Sequence, residues 1–173
     1  PKIILIKICE KNYWLSAWIF IRLWQKWRKK LLQDLKKFKL QTFFDVGSNV
    51  GDYAKIVKSM FPNSQIHCFE LSPTTFLTLQ ARLKNDTSIH LNNYGLSNKK
   101  KKVKYKDYGN NSTVNTLFSN SSYHDKQLSF QLKTSNLETG DGYCLSKNIE
   151  AIDYLKIDVE GAEHLVLEGF SCL

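Results

Sequence analysis

Asp45-x-Gly47-x-Asn49-x-Gly51, inside the stretch TFFDVGSNVGDYA at 42–54, places two glycines and two polar side chains at even spacing. An apolar run precedes them and a helical pattern follows. The glycines therefore form a turn at which backbone can approach a ligand closely. A dinucleotide loop needs G-x-G-x-x-G, with a second glycine that lets the chain reach a pyrophosphate. Here that place is taken by Asn49, which carries a side chain. A phosphate-cradling loop needs G-x-x-x-x-G-K-[ST], whereas Asp52 and Tyr53 follow Gly51. Both phosphate readings fail.

An amino-acid-like ligand that carries a ribose suits these residues better. Asp45 closes the apolar run and can attract an ammonium group, directly or through water. Glu70 closes the next apolar run, SQIHCFE, about twenty residues past Gly51. A carboxylate there is placed to accept hydrogen bonds from both ribose hydroxyls, and it would repel a 2′-phosphate. Taken singly, the glycines read as turn residues and the acids as caps. In this order and frame they point to S-adenosylmethionine.

The elements that must hold these residues alternate. LQTFFDVG reads as a buried strand, GDYAKIVKSMF as a helix stopped by Pro62, and SQIHCFE as a second strand. SPTTFLTLQARLKN reads as a helix with Ser72 as N-cap and Pro73 at its first position. SIHLNNYGL reads as a third strand. This β-α-β-α-β order predicts a parallel sheet with helices on its faces. The polar middle then carries a lysine run at 99–102 and a short edge strand around Val103 and Tyr105. KQLSFQLKTSN, through Leu128, Phe130 and Leu132, reads as another strand. GDGYCLSKN reads as a turn and short helix, IDYLKIDVEG as a strong strand and AEHLVLEGF as a final helix.

The chain has 173 residues, enough for one domain with a sizeable core, and a formal net charge of +9. Nucleic acid or an anionic surface thus enters as a partner, against the plainer reading of solvated lysine faces. Cys9, Cys68, Cys144 and Cys172 form no C-x-x-C pair, which removes zinc-ribbon and thioredoxin readings and points weakly to a reducing compartment. Cys68 reads as a buried small hydrophobe.

Residues 1–40 form a separate segment ahead of a domain at 41–173. KIILIKIC is either a short strand or a helix start. Residues 12–38 make an amphipathic, basic and Trp-rich helix. Its apolar run, Tyr13 to Ile21, is far short of the ~20 residues a membrane span needs. The helix either packs on the domain or lies peripherally on a membrane. The expected location is cytoplasmic, with that membrane association left open. Pro1 at the start and an apolar helix at the end make the chain look like a fragment.

A second motif narrows the reading. YLKIDVEGAEHLVLEGF, at 154–170, resembles the K-I-D-V-E-G-x-E-x-x-V-L-x-G signature of FkbM-type methyltransferases, within the class I S-adenosylmethionine-dependent enzymes. DVGSNVG, FELSP, NNYGLSN and TGDGYC are similar to that family's other segments, with Leu71 for a usual proline and Gly95 for a usual alanine. The resemblance covers roughly 42–170. It implies a Rossmann-like three-layer α/β sandwich with a mostly parallel sheet, apparently truncated after the fourth core strand and its helix. It also implies methyl transfer to a hydroxyl on a sugar, glycan or small natural product. Asp45, Gly47, Asn49, Gly51, Glu70 and Leu71 would surround the cofactor, and Asn93 to Leu96 would lie near the adenine.

The fourth strand of such a sheet ends beside the first, so Asp158 and Glu160 are the candidate catalytic residues. One could act as general base, or several acids could hold a divalent metal. Acids at a helix N-terminus also serve its dipole, the reading preferred for Glu163. His67 and His90 read as sheet residues, and His124 is a weaker base candidate in the middle segment. No spacing suggests a zinc site. A nucleic-acid methyltransferase is disfavoured by DVEG where N-P-P-Y would stand, so no nucleic-acid partner is expected. A non-catalytic, tethered binding module is the alternative of a different class.

Overall fold

The computed structural model describes residues 4–7, 30–107 and 130–171. Most of the amphipathic segment 12–38, the middle stretch with His124 and Leu128, and Cys9 and Cys172 lie outside the described residues. A helical stretch at 30–35 precedes the main elements. Along the chain these run β1 (Ile4–Lys7), β2 (Thr42–Val46), α1 (Asp52–Met60), β3 (Gln65–Phe69), α2 (Pro73–Leu83), β4 (Ile89–Asn92), β5 (Gly95–Leu96), β6 (Lys101–Asp107), β7 (Gln131–Glu138), α3 (Gly140–Lys147), β8 (Tyr154–Ile157) and α4 (Glu163–Glu168).

Local chemistry accounts for the boundaries. β2 (TFFDV) is buried on both faces from Phe43 to Val46, as a central parallel strand must be, with Asp45 its one charged residue. Helix α1 opens on the left-handed Gly51, with Asp52 in its first turn and Lys58 in its last, and gives way before Pro62. Helix α2 has Pro73 in its first turn, and the Ser72 side chain accepts the Thr75 N–H. Helix α3 is capped by Thr139, which accepts the Gly142 N–H, and it ends on a left-handed Asn148.

The main sheet is parallel throughout, in the order β1-β8-β2-β3-β4. KIILIKIC thus contributes a strand, in register with β8 from Ile4–Tyr154 to Lys7–Ile157. Successive side chains of a strand leave on opposite faces, and the two cores follow from that. Phe43, Ile66 and Tyr154 meet Tyr53 and Val57 of α1, Leu79 of α2 and Leu32 and Leu35 of the 30–35 stretch. Phe44, Val46, Phe69, Leu155 and Ile157 meet Tyr143 of α3 and Val166 of α4 on the other side. The result is a three-layer α/β sandwich with a largely parallel core sheet. Among the described residues no helix is long and apolar enough to cross a membrane.

One segment departs from the sequence reading, and another adds what alternation alone leaves open. SIHLNNYGL is not one strand: β4 stops at Asn92, and Gly95–Leu96 joins a second sheet of order β5-β7-β6. β7 begins at Gln131 and turns its other face inward. Leu132 is 67% exposed and Phe130 38%, while Ser135 and Leu137 are buried. Alternation marks a strand but not which of its faces is covered. Here the Ser135 hydroxyl donates to the Leu71 carbonyl (2.8 Å), and Leu137 closes over Gly95, which fixes the odd-numbered residues inside. Phe130 instead lies under the Lys106 ammonium, 4.8 Å from its ring centre.

Beneath α3, His67 Nδ1 pairs with the Tyr143 hydroxyl (2.8 Å), and its ring stacks on His90 at 4.5 Å. Burial, then the neighbouring His90 and Lys147, lower its imidazole from 6.5 to about 4. A base depressed in the fold takes its proton more readily when unfolded. Its contribution to stability is therefore present above pH 6.5 and lost as pH falls toward 4. Urea midpoints between pH 7 and 4 should show the protein losing roughly 2–3 kcal/mol more than a His67→Asn variant, which keeps a hydrogen-bonding atom near Nδ1. Parallel profiles for the two proteins would contradict this.

Candidate functional site

From β2 the chain steps outward to β3 and β4, then returns to place β8 on the other side of β2. The carboxyl ends of β2 and β8 therefore flank the point where strand order reverses, the place where open α/β sheets hold ligands. The loop 47–51 rises from one side and 158–161 from the other. They touch at once, because the Asp158 N–H donates to the Val46 carbonyl (3.0 Å). A Cβ on Gly47 would fall 1.9 Å from the Asp158 carbonyl oxygen, and Gly47 has φ +78°. Only glycine fits on both counts.

The loop continues with Asn49 at φ 48° and Gly51 at φ 84°. Asparagine tolerates this left-handed region better than most residues. Ser48 anchors the turn: its hydroxyl donates to the Asp45 carbonyl (2.6 Å) and accepts the Phe69 N–H (3.0 Å). The Gly47 and Ser48 N–H groups both donate to the Phe69 carbonyl at 3.0 Å. The end of β3 thus holds the loop in shape.

Glu70 completes that hold. One carboxylate oxygen accepts the Asn49 N–H (2.8 Å) and the other the Ser72 N–H (2.9 Å). Burial pushes its pKa up, against the pull of those two N–H groups and of Lys156. The Asn93 side chain donates to the Glu70 carbonyl (3.0 Å), which brings the end of β4 alongside. The Asn49 side-chain oxygen is buried with no hydrogen-bond partner among the described residues. Leu71 packs towards Gly95, and Leu96 lies within the second core, 3% exposed.

Asp45 is 2% exposed and faces Lys156, its partner across β2 and β8. The Lys156 ammonium lies 2.9 Å from Asp45 Oδ1, donates to the Gly47 carbonyl at 2.7 Å and stands 3.6 Å from Asp158 Oδ2. Asp45 Oδ2 is buried without a hydrogen bond among the described residues. Glu160 holds a left-handed backbone (φ 52°) beside Gly161 (φ 101°). A non-glycine residue in that conformation at a crevice mouth marks a site whose shape is imposed by its surroundings. Glu163 is 8% exposed and accepts the Gly161 N–H (3.2 Å), a local tie at the start of α4. Among the described residues no three His, Cys, Asp or Glu side chains gather as a metal site.

The structure therefore brings Asp45, Gly47, Asn49, Gly51 and Glu70 into one loop assembly, with Asp158 against it. Sequence reasoning missed Ser48 and Lys156, whereas Asn93 stands in the segment expected near the adenine. The available signal for Lys156 was a lone cation inside the otherwise apolar strand YLKI.

Ser48→Ala should destabilise the fold by about 1–3 kcal/mol, because it removes both buried hydroxyl bonds, to the Asp45 carbonyl and from the Phe69 N–H. Gly47→Ala should cost about 2–4 kcal/mol from left-handed strain and the clash with Asp158 together. Both are read from chemical unfolding of the purified protein, and a Gly47→Ala cost below that of Ser48→Ala would contradict the close contact.

The chain is 28% identical over 140 residues to Methyltransferase 1 of Beauveria bassiana (strain ARSEF 2860), an alignment that covers 72% of this chain and 56% of that protein. The methyltransferase FkbM of Methylobacillus flagellatus KT, a crystal structure, superposes with a TM-score of 0.49 at 15% identity, covering 76% of this chain and 29% of that one. The chain spans little more than half the length of the curated relative it matches. Residues 45–172 match the methyltransferase FkbM domain, and the chain belongs to that family.

Proposed function

We propose that the protein is an S-adenosylmethionine-dependent O-methyltransferase, acting on a hydroxyl of a sugar, glycan or small natural product. The observation that carries this reading is the Glu70–Asn49 bond at 2.8 Å. It sets a buried carboxylate against the glycine loop at the point of strand reversal, where the acid is free to accept from further donors on its remaining lone pairs.

The residues present fit the cofactor. Glu70 would take the ribose hydroxyls. The orphaned Asn49 oxygen offers a second acceptor on the same loop. Gly47 and Gly51 supply the left-handed backbone that shapes the loop around the ligand. Asn93 and Gly95, between β4 and β7, would border the adenine. S-adenosylmethionine supplies a methyl group activated on a sulfonium, so the hard part of the chemistry is the cofactor's. The chain's task is to orient the acceptor oxygen in line and to take its proton. With the donor bound, its methyl would pass to the acceptor oxygen in exchange for the hydroxyl proton, which a carboxylate of this chain would take. Asp158, its side chain 23% exposed, and Glu160 beside it are the carboxylates this reading assigns to receive it.

Calorimetry tests the reading. The intact protein should bind S-adenosylmethionine, and Glu70→Ala should weaken binding by roughly 10- to 100-fold, the value of hydrogen bonds to a charged acceptor. No binding by the unaltered protein would overturn the assignment.

A further inference from the structure

Lys156 has no part in the chemistry described so far, yet it is 3% exposed at the centre of the switch point. A lysine is almost never buried unless paired, and this one has three partners. Asp45 neutralises it from β2, the Gly47 carbonyl receives one of its N–H bonds, and Asp158 stands next to it on its own chain segment. The face of the Tyr53 ring lies 6.0 Å from the ammonium on the α1 side, which leaves it in an enclosed setting.

Two consequences follow from elementary electrostatics. First, the ammonium turns the Gly47 carbonyl inward and so fixes the peptide at the root of the loop. Second, it cancels the charge of Asp45. A buried carboxylate without a counter-ion would add a full negative charge to the crevice, where low polarity makes each charge count.

We infer that Lys156 is a positioning residue for the glycine loop and that, through Asp45, it sets how strongly the site distinguishes a cationic methyl donor from its neutral demethylated product. The inference rests on the assignment of S-adenosylmethionine as cofactor. Donor and product differ by one methyl and one positive charge, while their ribose, adenine and amino-acid ends are the same. The ratio of their affinities therefore isolates the charge at the switch point from the quality of the pocket. With Asp45 offset, the product is not excluded in favour of the donor, and the donor is not held so tightly that turnover suffers.

The experiment is calorimetry of the intact protein with S-adenosylmethionine and with S-adenosylhomocysteine, for three variants beside the unaltered chain. Lys156→Met removes a positive charge and should raise the donor-to-product affinity ratio about five- to tenfold, even as both affinities fall. Asp45→Asn removes a negative charge with almost no change in shape and should lower the ratio by a similar factor. The double variant should return the ratio to within about twofold of the unaltered protein. Circular dichroism confirms folding. If Lys156→Met does not fold, the Asp45→Asn and double variants still decide the matter. Equal loss of both ligands in every variant would reduce Lys156 to a structural pair and overturn the inference. If the unaltered protein binds neither ligand, the cofactor assignment itself fails and the inference falls with it.

Discussion

One buried ion pair joins the two halves of the site. Asp45 and Lys156 are register partners on the two central strands, so the pairing of β2 with β8 is enough to bring them together. Taking two charges out of water is costly, and a buried pair is tolerated only when its geometry is good and its spare donors are used. Here the ammonium also serves the Gly47 carbonyl and approaches Asp158. The pair therefore does more than neutralise itself. It couples the orientation of the glycine loop to the residue that opens the opposite wall of the crevice.

Around that pair, both walls use backbone that ordinary residues avoid. Gly47, Asn49 and Gly51 are left-handed on one side, and Glu160 and Gly161 on the other. Non-glycine residues in such conformations cost about 1–3 kcal/mol each and persist only when their surroundings hold them. The holding groups are visible. Ser48 stitches the loop to the end of β3, Glu70 takes the Asn49 N–H, and Glu163 takes the Gly161 N–H. The carboxylate read as a ribose partner is thus also a structural anchor of the loop, and the two roles use different lone pairs of the same group.

Much of this was legible in the sequence because the signals were local. An apolar run closed by Asp-x-Gly, a Ser-Pro helix start and a helix stopped by Pro62 each carry their own physical cause, and α1, α2, β2 and β3 appear where those signals stand. β7 shows where local reasoning stops. The alternation of Leu128, Phe130 and Leu132 marks a strand without saying which face is covered, and the sheet covers Ser135 and Leu137. A two-residue period is symmetric between faces, and only the neighbour on one side breaks that symmetry. Lys156 eluded the sequence for a related reason. A lysine in a strand reads as an edge or solvent residue until its cross-strand partner is known.

The sequence by itself determined the alternation of strand and helix from β2 to α2, the glycine loop with its two acids, and the resemblance that named a family. Those depend on spacing along the chain, which sequence displays directly. The tertiary structure decided which charges are spent inside the protein. Asp45, read as a group for a ligand's ammonium, faces Lys156, a residue 111 positions away whose role exists only because β8 pairs with β2. Burial and pairing are properties of the folded neighbourhood, and a charge acquires its strength from the dielectric and the counter-ions it meets there.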